Sequence, residues 1–153
     1  MKICRLSAAD RKAFCALFAE YYQELGCDED IDHLLDEYVL ADFDAGLLDI
    51  AVAQEKGAAF GFVIWQTDRA ENDWCLREGM GTVRELFVSP SFRGRGTGSA
   101  LTAFAESDIA AAGVAHIYVL PAEGTGSFFI ARGYAPSDEW CEDTGCYFFY
   151  KTL

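Results

Sequence analysis

The chain has 153 residues, 52% hydrophobic and 24% charged, a length and balance that suit one folded domain with a sizeable core rather than a disordered chain. Its formal net charge of −13 argues against a nucleic-acid or anionic-membrane surface, either of which needs a basic stripe; most of the acidity reads as solubility, and it is compatible with a cationic substrate. No run of about 18 apolar residues is present to span a bilayer. The charged start Met1-Lys2-Ile3-Cys4-Arg5-Leu6 lacks the apolar core of a signal peptide, so the expected location is the cytoplasm. Six scattered cysteines without a Cys-x-x-Cys pair then read as reduced thiols, not as a zinc site.

Residues 1–6 predict a short first strand. Ser7 can cap a helix with Asp10 in its first turn; Phe14, Leu17, Phe18, Tyr21 and Leu25 form its apolar face, and Gly26 ends it. A second helix is predicted after Asp30, with Ile31, Leu34, Leu35, Tyr38 and Val39 on one face. The acids Asp28, Glu29, Asp30 and Asp32 lack the spacing and glycine of a calcium loop and read as a charged helix start. Residues 48–55 and 58–66 predict two strands around a Lys56-Gly57 hairpin turn, with Gly61 marking a bulge or a close backbone approach. The polar stretch 67–81 is long for a hairpin loop, and the sequence leaves it open as part of an acceptor site or a mobile loop.

The most informative stretch is 82–112. Val83, Leu86, Phe87 and Val88 predict a strand that Pro90 stops, since proline cannot donate to a ladder. Leu101, Phe104, Ala105, Ile109 and Ala112 then fall on one helix face, with Glu106 on the other side. Between strand and helix lie Arg93, Gly94, Arg95, Gly96 and Gly98. A helix start leaves N–H groups unsatisfied and partly positive, and glycine lets a ligand approach the backbone, so this turn suits a pyrophosphate. It is not the dinucleotide fingerprint, because Ser99 stands where a third glycine belongs, and no Gly-Lys-Ser/Thr ending marks a nucleotide-triphosphate loop. Residues 115–120 predict the next strand, and a strand–helix–strand unit favours a parallel pair with a right-handed crossover. A lone strand histidine such as His116 reads as an ordinary side chain before it reads as a base. Residues 123–132 predict a helix, Gly133-Tyr134 lead into another strand, and 146–151 read as a buried terminal strand.

Arg93-x-x-Gly96-x-Gly98, preceded by Leu86-Phe87-Val88-x-Pro90 and followed by an amphipathic helix, resembles the acetyl-CoA signature of the GNAT N-acetyltransferase superfamily. The resemblance implies a mixed α/β fold in a single domain over 1–153. Its central, mostly antiparallel sheet would have six to seven strands flanked by about four helices, with 82–89 and 115–120 as a splayed parallel pair. It implies acetyl-CoA as co-substrate, no metal, and cofactor contacts at Leu86, Phe87, Val88, Arg93, Gly94, Arg95, Gly96, Thr97, Gly98, Ser99 and Phe129. Pantetheine would slot between the splayed strands, and the first two helices, with Tyr21, Tyr22 and Tyr38, would wall an acceptor pocket. The implied reaction is acetyl transfer to a primary amine of a small molecule or peptide by direct attack on the thioester; a hydroxyl, a protein N-terminus or a lysine are alternative acceptors.

Glu85 is the first candidate general base, with an ion pair to Arg84 or Arg69 as the competing reading and Asp68 and Glu71 as weaker candidates. One departure stands out. Phe128-Phe129-Ile130-Ala131-Arg132-Gly133-Tyr134 resembles the family's Phe-Tyr-x-x-x-Gly-Phe segment, but the tyrosine that often protonates the departing thiolate aligns with Phe129. The frequent asparagine aligns near Ala122. Water or a nearby hydroxyl such as Ser127 is left to protonate the thiolate. An acetyl-CoA-binding regulatory module therefore stands as the alternative function, and a homodimer stays open.

Overall fold

In the computed structural model, which describes residues 1–153, the chain opens with strand β1 (Lys2–Arg5), a 3₁₀ turn (Ala8–Asp10) and helix α1 (Arg11–Glu24). A second helical unit runs without a break through α2 (Ile31–Leu34), a π segment (Leu35–Leu40) and α3 (Ala41–Asp44). Strands β2 (Asp49–Glu55), β3 (Ala58–Thr67) and β4 (Gly81–Val88) follow, then a 3₁₀ turn (Pro90–Phe92) and helix α4 (Thr97–Ala111). The chain ends with β5 (His116–Val119), α5 (Gly126–Ala131), β6 (Ala135–Cys141) and β7 (Cys146–Thr152). The seven strands make one sheet in the order β1-β2-β3-β4-β5-β7-β6, antiparallel except for β4 and β5.

Strand alternation divides the core in two. Ile50, Val52, Phe62, Ile64 and Phe87 face Phe14, Leu17 and Phe18 of α1 and Leu35, Val39 and Leu40 of the second helical unit. Their neighbours Ala51, Ala53, Val63, Trp65 and Val83 face Leu101, Ala105 and Ile109 of α4 on the opposite side. The result is a mixed α/β sheet with helices on both faces. No helix is long and apolar enough to cross a membrane.

Four local expectations change. Ser7 gives its hydroxyl to the Asp10 carboxylate and caps no backbone N–H, so a 3₁₀ turn precedes α1. The second helix carries the π segment, which widens the turn; Tyr38, expected on the packed face, is 46% exposed. The predicted helix over 123–132 contracts to α5 because Gly124 takes φ +83°, outside the helical region. Strand β7 lies between β5 and β6, yet Phe148 is its one buried residue, so it is not a buried strand. All six cysteines are free thiols.

Candidate active site

The site begins where two strands part. β4 and β5 pair only through Gly81–Ile117 and Thr82–Tyr118, and beyond Thr82 the sheet is open between them. On its other edge β4 stays paired with β3 as far as Gly61–Val88. Ser89 N–H donates to Phe60 O at 2.8 Å, and the Phe87 carbonyl lies against Gly61, where a Cβ would stand only 2.9 Å from it. That contact is the close approach expected at Gly61. Main-chain groups alternate sides along a strand, so Leu86 and Val88 turn their N–H groups away from β3 and into the gap.

The turn after β4 supplies more free amides. Helix α4 starts without a side-chain cap, and Gly96, at its N-cap, has φ +80°. The backbone N–H groups of residues 94–99 donate to no protein acceptor. Arg93 sends Nε to Val88 O at 2.8 Å and pairs with Glu24 at 2.7 Å, which holds the Glu24 carboxyl below its ordinary range. Arg132, from the turn after α5, brings a further cation: Nε donates to Ser99 Oγ at 2.9 Å and Nη1 to Phe128 O at 2.8 Å. Arg95 lies over the Phe92 ring, 5.3 Å away, and is the one expected cofactor residue outside the cavity lining. Phe129 lines the cavity as bare carbon, its ring edge-on to Phe128 and Tyr134 at 5.1 and 5.5 Å. Ser127 is exposed and does not line it.

A cavity of about 1210 Å³ runs from this turn through the gap to Tyr21, Tyr22 and Tyr38. At that far end β4 bulges: Ile64 pairs with Glu85 but Trp65 with Val83, leaving Arg84 as an extra residue. The bulge turns two consecutive side chains to one face. Val83 packs toward α4, whereas Glu85 reaches α1 and Arg84 reaches Gln66, which shares the α1 face with Ile64.

Tyr21 Oη donates to Glu85 Oε2 at 2.6 Å and Tyr22 Oη to Oε1 at 3.4 Å. Burial pushes the Glu85 carboxyl up, against the Tyr21 hydrogen bond, the Arg84 charge and the Tyr22 hydrogen bond, which pull it down. Burial and the Glu85 charge raise both phenols, so they remain donors across the physiological range. The competing reading of Glu85 is not met: its partners are the two tyrosines, and it forms no ion pair with Arg84 or Arg69.

The weaker candidates sort differently. Asp68 is buried and fully engaged: Gln66 Nε2 donates to it at 2.7 Å, the N–H groups of Leu76 and Arg77 at 2.9 Å each, and Tyr118 Oη at 2.6 Å. It anchors the 67–81 stretch to β5 and has no room for a substrate proton. Glu71 and His116 are exposed and outside the cavity lining. The anchored stretch instead contributes Asp73 and Trp74 to the cavity wall. Asn72 Nδ2 also ties it to Leu47 O at 2.8 Å. Buried Asp42 has one oxygen without a donor; burial and the neighbouring Asp73 raise its pKa. No cluster of His, Cys, Asp and Glu converges as a metal site requires.

Sequence reasoning overlooked Arg84, Arg132 and Tyr118 as cavity groups, and reached Trp74 only through the open reading of 67–81. Only Arg84 left a local signal: adjacent charges at Arg84-Glu85 interrupt the apolar strand Val83 to Val88, which marks a bulge. Arg132, Trp74 and Tyr118 arrive from separate elements and share no spacing.

The family description "Acetyltransferase (GNAT) domain" matches residues 47–136, more than half of the chain. Among solved structures, a GNAT-family acetyltransferase from Staphylococcus aureus Mu50 is similar with a TM-score of 0.77 at 13% identity, over 99% of this chain and 98% of that one. The PaiA N-acetyltransferase of Thermoplasma acidophilum, in complex with coenzyme A, is similar with a TM-score of 0.72 at 14% identity, over 99% of this chain and 98% of its own. A GCN5-related N-acetyltransferase from Ralstonia eutropha JMP134 reaches 23% identity and a TM-score of 0.73, over 92% of this chain and 96% of its own. At these identities the structural likeness is one of fold. No curated protein matches the sequence.

Proposed function

The chain belongs to the GNAT acetyltransferase family, and we propose that it moves an acetyl group from acetyl-CoA to a primary amine of a small molecule or peptide, the amine attacking the thioester directly. The observation that carries this reading is one continuous cavity with unpaired amides at one end and a tyrosine-held carboxylate, Glu85, at the other.

The residues present fit the co-substrate. The free N–H groups of residues 94–99, with Arg132 beside them, suit a pyrophosphate. The open edge of β4, with the N–H groups of Leu86 and Val88, suits an extended chain that carries its own amides. Acetyl-CoA, when bound, supplies an activated acyl group and a thiolate leaving group.

Glu85 accepts the proton of the incoming ammonium, directly or through water, and its raised pKa makes it a stronger base than a solvated carboxylate. Tyr21 and Tyr22 fix its orientation. Of the gap-facing N–H groups near Val88, one donates to the acyl oxygen as negative charge develops there, and the other pairs with the extended chain. Phe129 offers no proton to the departing sulfur, so that proton comes from water or from the acceptor. Holding the two reactants in one cavity supplies much of the rate without a side-chain acid.

The same bare ring at Phe129 favours a second reading, an acetyl-CoA-binding regulatory module. One experiment separates them: thiol release from acetyl-CoA with a panel of amines, amino acids and peptides, alongside calorimetric titration of coenzyme A. Acceptor-dependent release establishes the enzyme. Tight coenzyme A binding with no release for any acceptor establishes the module, and absence of binding removes both.

A further inference from the structure

Resting on the acetyl-transfer reading, the geometry points to an acceptor amine that also carries an anionic group, a carboxylate or phosphate held by Arg84 while Glu85 faces the amine. Three cations line the cavity: Arg84, Arg93 and Arg132. Arg93 is engaged with Glu24 and Val88 O, and Arg132 with Ser99 and Phe128 O, both at the cofactor turn. Arg84 alone belongs to the acceptor end. Its one hydrogen bond runs from Nη1 to Gln66 Oε1 at 3.1 Å, and it has no ion pair. A guanidinium has five N–H donors, so most of this one is unspent.

The guanidinium is also held in place. Gln66 is 2% exposed, and its Nε2 is committed to Asp68 and to Trp74 O, each at 2.7 Å. Its Oε1 is therefore fixed and presents the Arg84 fork in one orientation. The nearby carboxylates, Glu85 and Asp42, feel its charge, but Glu85 is held by its two tyrosines and neither forms an ion pair with Arg84. A partly buried cation without a directly paired counter-ion leaves part of its desolvation uncompensated, and a bidentate anion from the ligand offsets it. Because the bulge puts Arg84 and Glu85 on one face, an amine and an anion separated by a few bonds can meet both residues at once. Tyr22, Leu34, Tyr38 and Trp74 offer the rest of such an acceptor an aromatic and apolar wall.

The test titrates five probes onto the protein saturated with coenzyme A, and measures their kcat/KM with acetyl-CoA. They are L-phenylalanine, L-phenylalaninamide, phenethylamine, O-phosphoethanolamine and ethanolamine. An anionic probe should exceed its counterpart without the anion by about 10–100-fold, chiefly through Kd and KM, as one charge-assisted pair contributes. Preference for phenylalanine identifies the anion as carboxylate, and preference for O-phosphoethanolamine identifies it as phosphate. Arg84→Gln should bring the ratio to within about threefold of one, and Arg84→Lys should keep part of it. A thermal melt verifies that each variant is folded; if Arg84→Gln is not, the wild-type ratio and Arg84→Lys decide. A wild-type ratio near one, no binding by either anionic probe, or an unchanged ratio in folded Arg84→Gln overturns the assignment. Release of thiol with a ratio near one removes only the role of Arg84. Absence of release with every probe removes the acetyl-transfer reading, and the calorimetric ratio then still decides the anion site.

Discussion

The two ends of the cavity are made of different material. The cofactor end is mainly backbone, the amides of residues 94–99 and the open edge of β4 within one contiguous stretch of chain, with the side chains of Arg93 and Arg132 beside them. The acceptor end is side chains, with Tyr21 and Tyr22 from α1, Tyr38 from the π segment, Trp74 from the anchored stretch, and Arg84 and Glu85 from the bulge. A main-chain site needs only a particular path of the chain, and a short motif can specify that path. A side-chain site needs distant elements to meet, as Tyr21 and Glu85 do across 64 residues. The first kind suits a ligand shared across a family, and the second suits an acceptor that differs from member to member.

If the two ends are separable, damage to one should spare the other. The largest effect is expected from Glu85→Gln, which should lower kcat/KM by roughly 10²–10⁴-fold, the usual general-base contribution. Coenzyme A affinity by calorimetry should stay within about twofold; a collapse of that affinity would show that the two ends act as one.

Next is Gly98→Glu. Gly98 lies in the first turn of α4 without a positive φ, and an added Cβ meets only the Phe128 ring at 3.4 Å. A carboxylate there suits the helix start but opposes a phosphate, so Kd for coenzyme A should rise about 10–100-fold while kcat at saturation changes little. Gly96→Glu is a poorer probe, because φ +80° adds a backbone penalty of about 1–2 kcal/mol to any effect on binding.

Tyr21→Phe should act more gently. It removes the hydrogen bond that most opposes burial at Glu85, so the Glu85 pKa rises further and the acid limb of the kcat/KM profile moves to higher pH. The rate on that limb should fall by about 10-fold, as loss of one hydrogen bond to a charged acceptor allows. A limb that stays in place would mean that Glu85 is not the group whose ionisation the rate reports.

The smallest effect is on stability. Glu85 has a folded-state pKa above its unfolded value, so its contribution to stability is fully present below the ordinary carboxylate range and is lost as pH rises through the folded-state pKa. Glu85→Gln removes that loss. Its Tm should exceed that of the wild type by about 2–4 °C at neutral pH, the shift that ~1 kcal/mol makes in a domain of this size, and the difference should vanish in acid. A constant difference across pH would place the effect in packing.

Much of this molecule follows from local rules. The alternation Ile50-Ala51-Val52-Ala53 assigns the two faces of the sheet, and Pro90 with the glycines after it ends β4 and shapes the amide-rich turn. The strand–helix–strand order makes β4 and β5 parallel. Each of these is set by backbone geometry and by neighbours a few residues apart, which is why each can be read from the chain. The surroundings of Glu85 could not be read so. Adjacent charges at Arg84-Glu85 suggested an ion pair, but the bulge gives each side chain a different partner from a different element. The stretch 67–81, which the sequence left open between an acceptor-site wall and a mobile loop, is tied down where Tyr118 of β5 and the backbone of Leu76 and Arg77 meet the Asp68 carboxylate. Tyr38, which α periodicity put on the packed face and the resemblance put in a pocket wall, is exposed at the cavity. Burial and long-range hydrogen bonds exist only once the chain has closed on itself, so the path of the backbone belonged to the sequence and the environment of the reactive side chains to the tertiary fold.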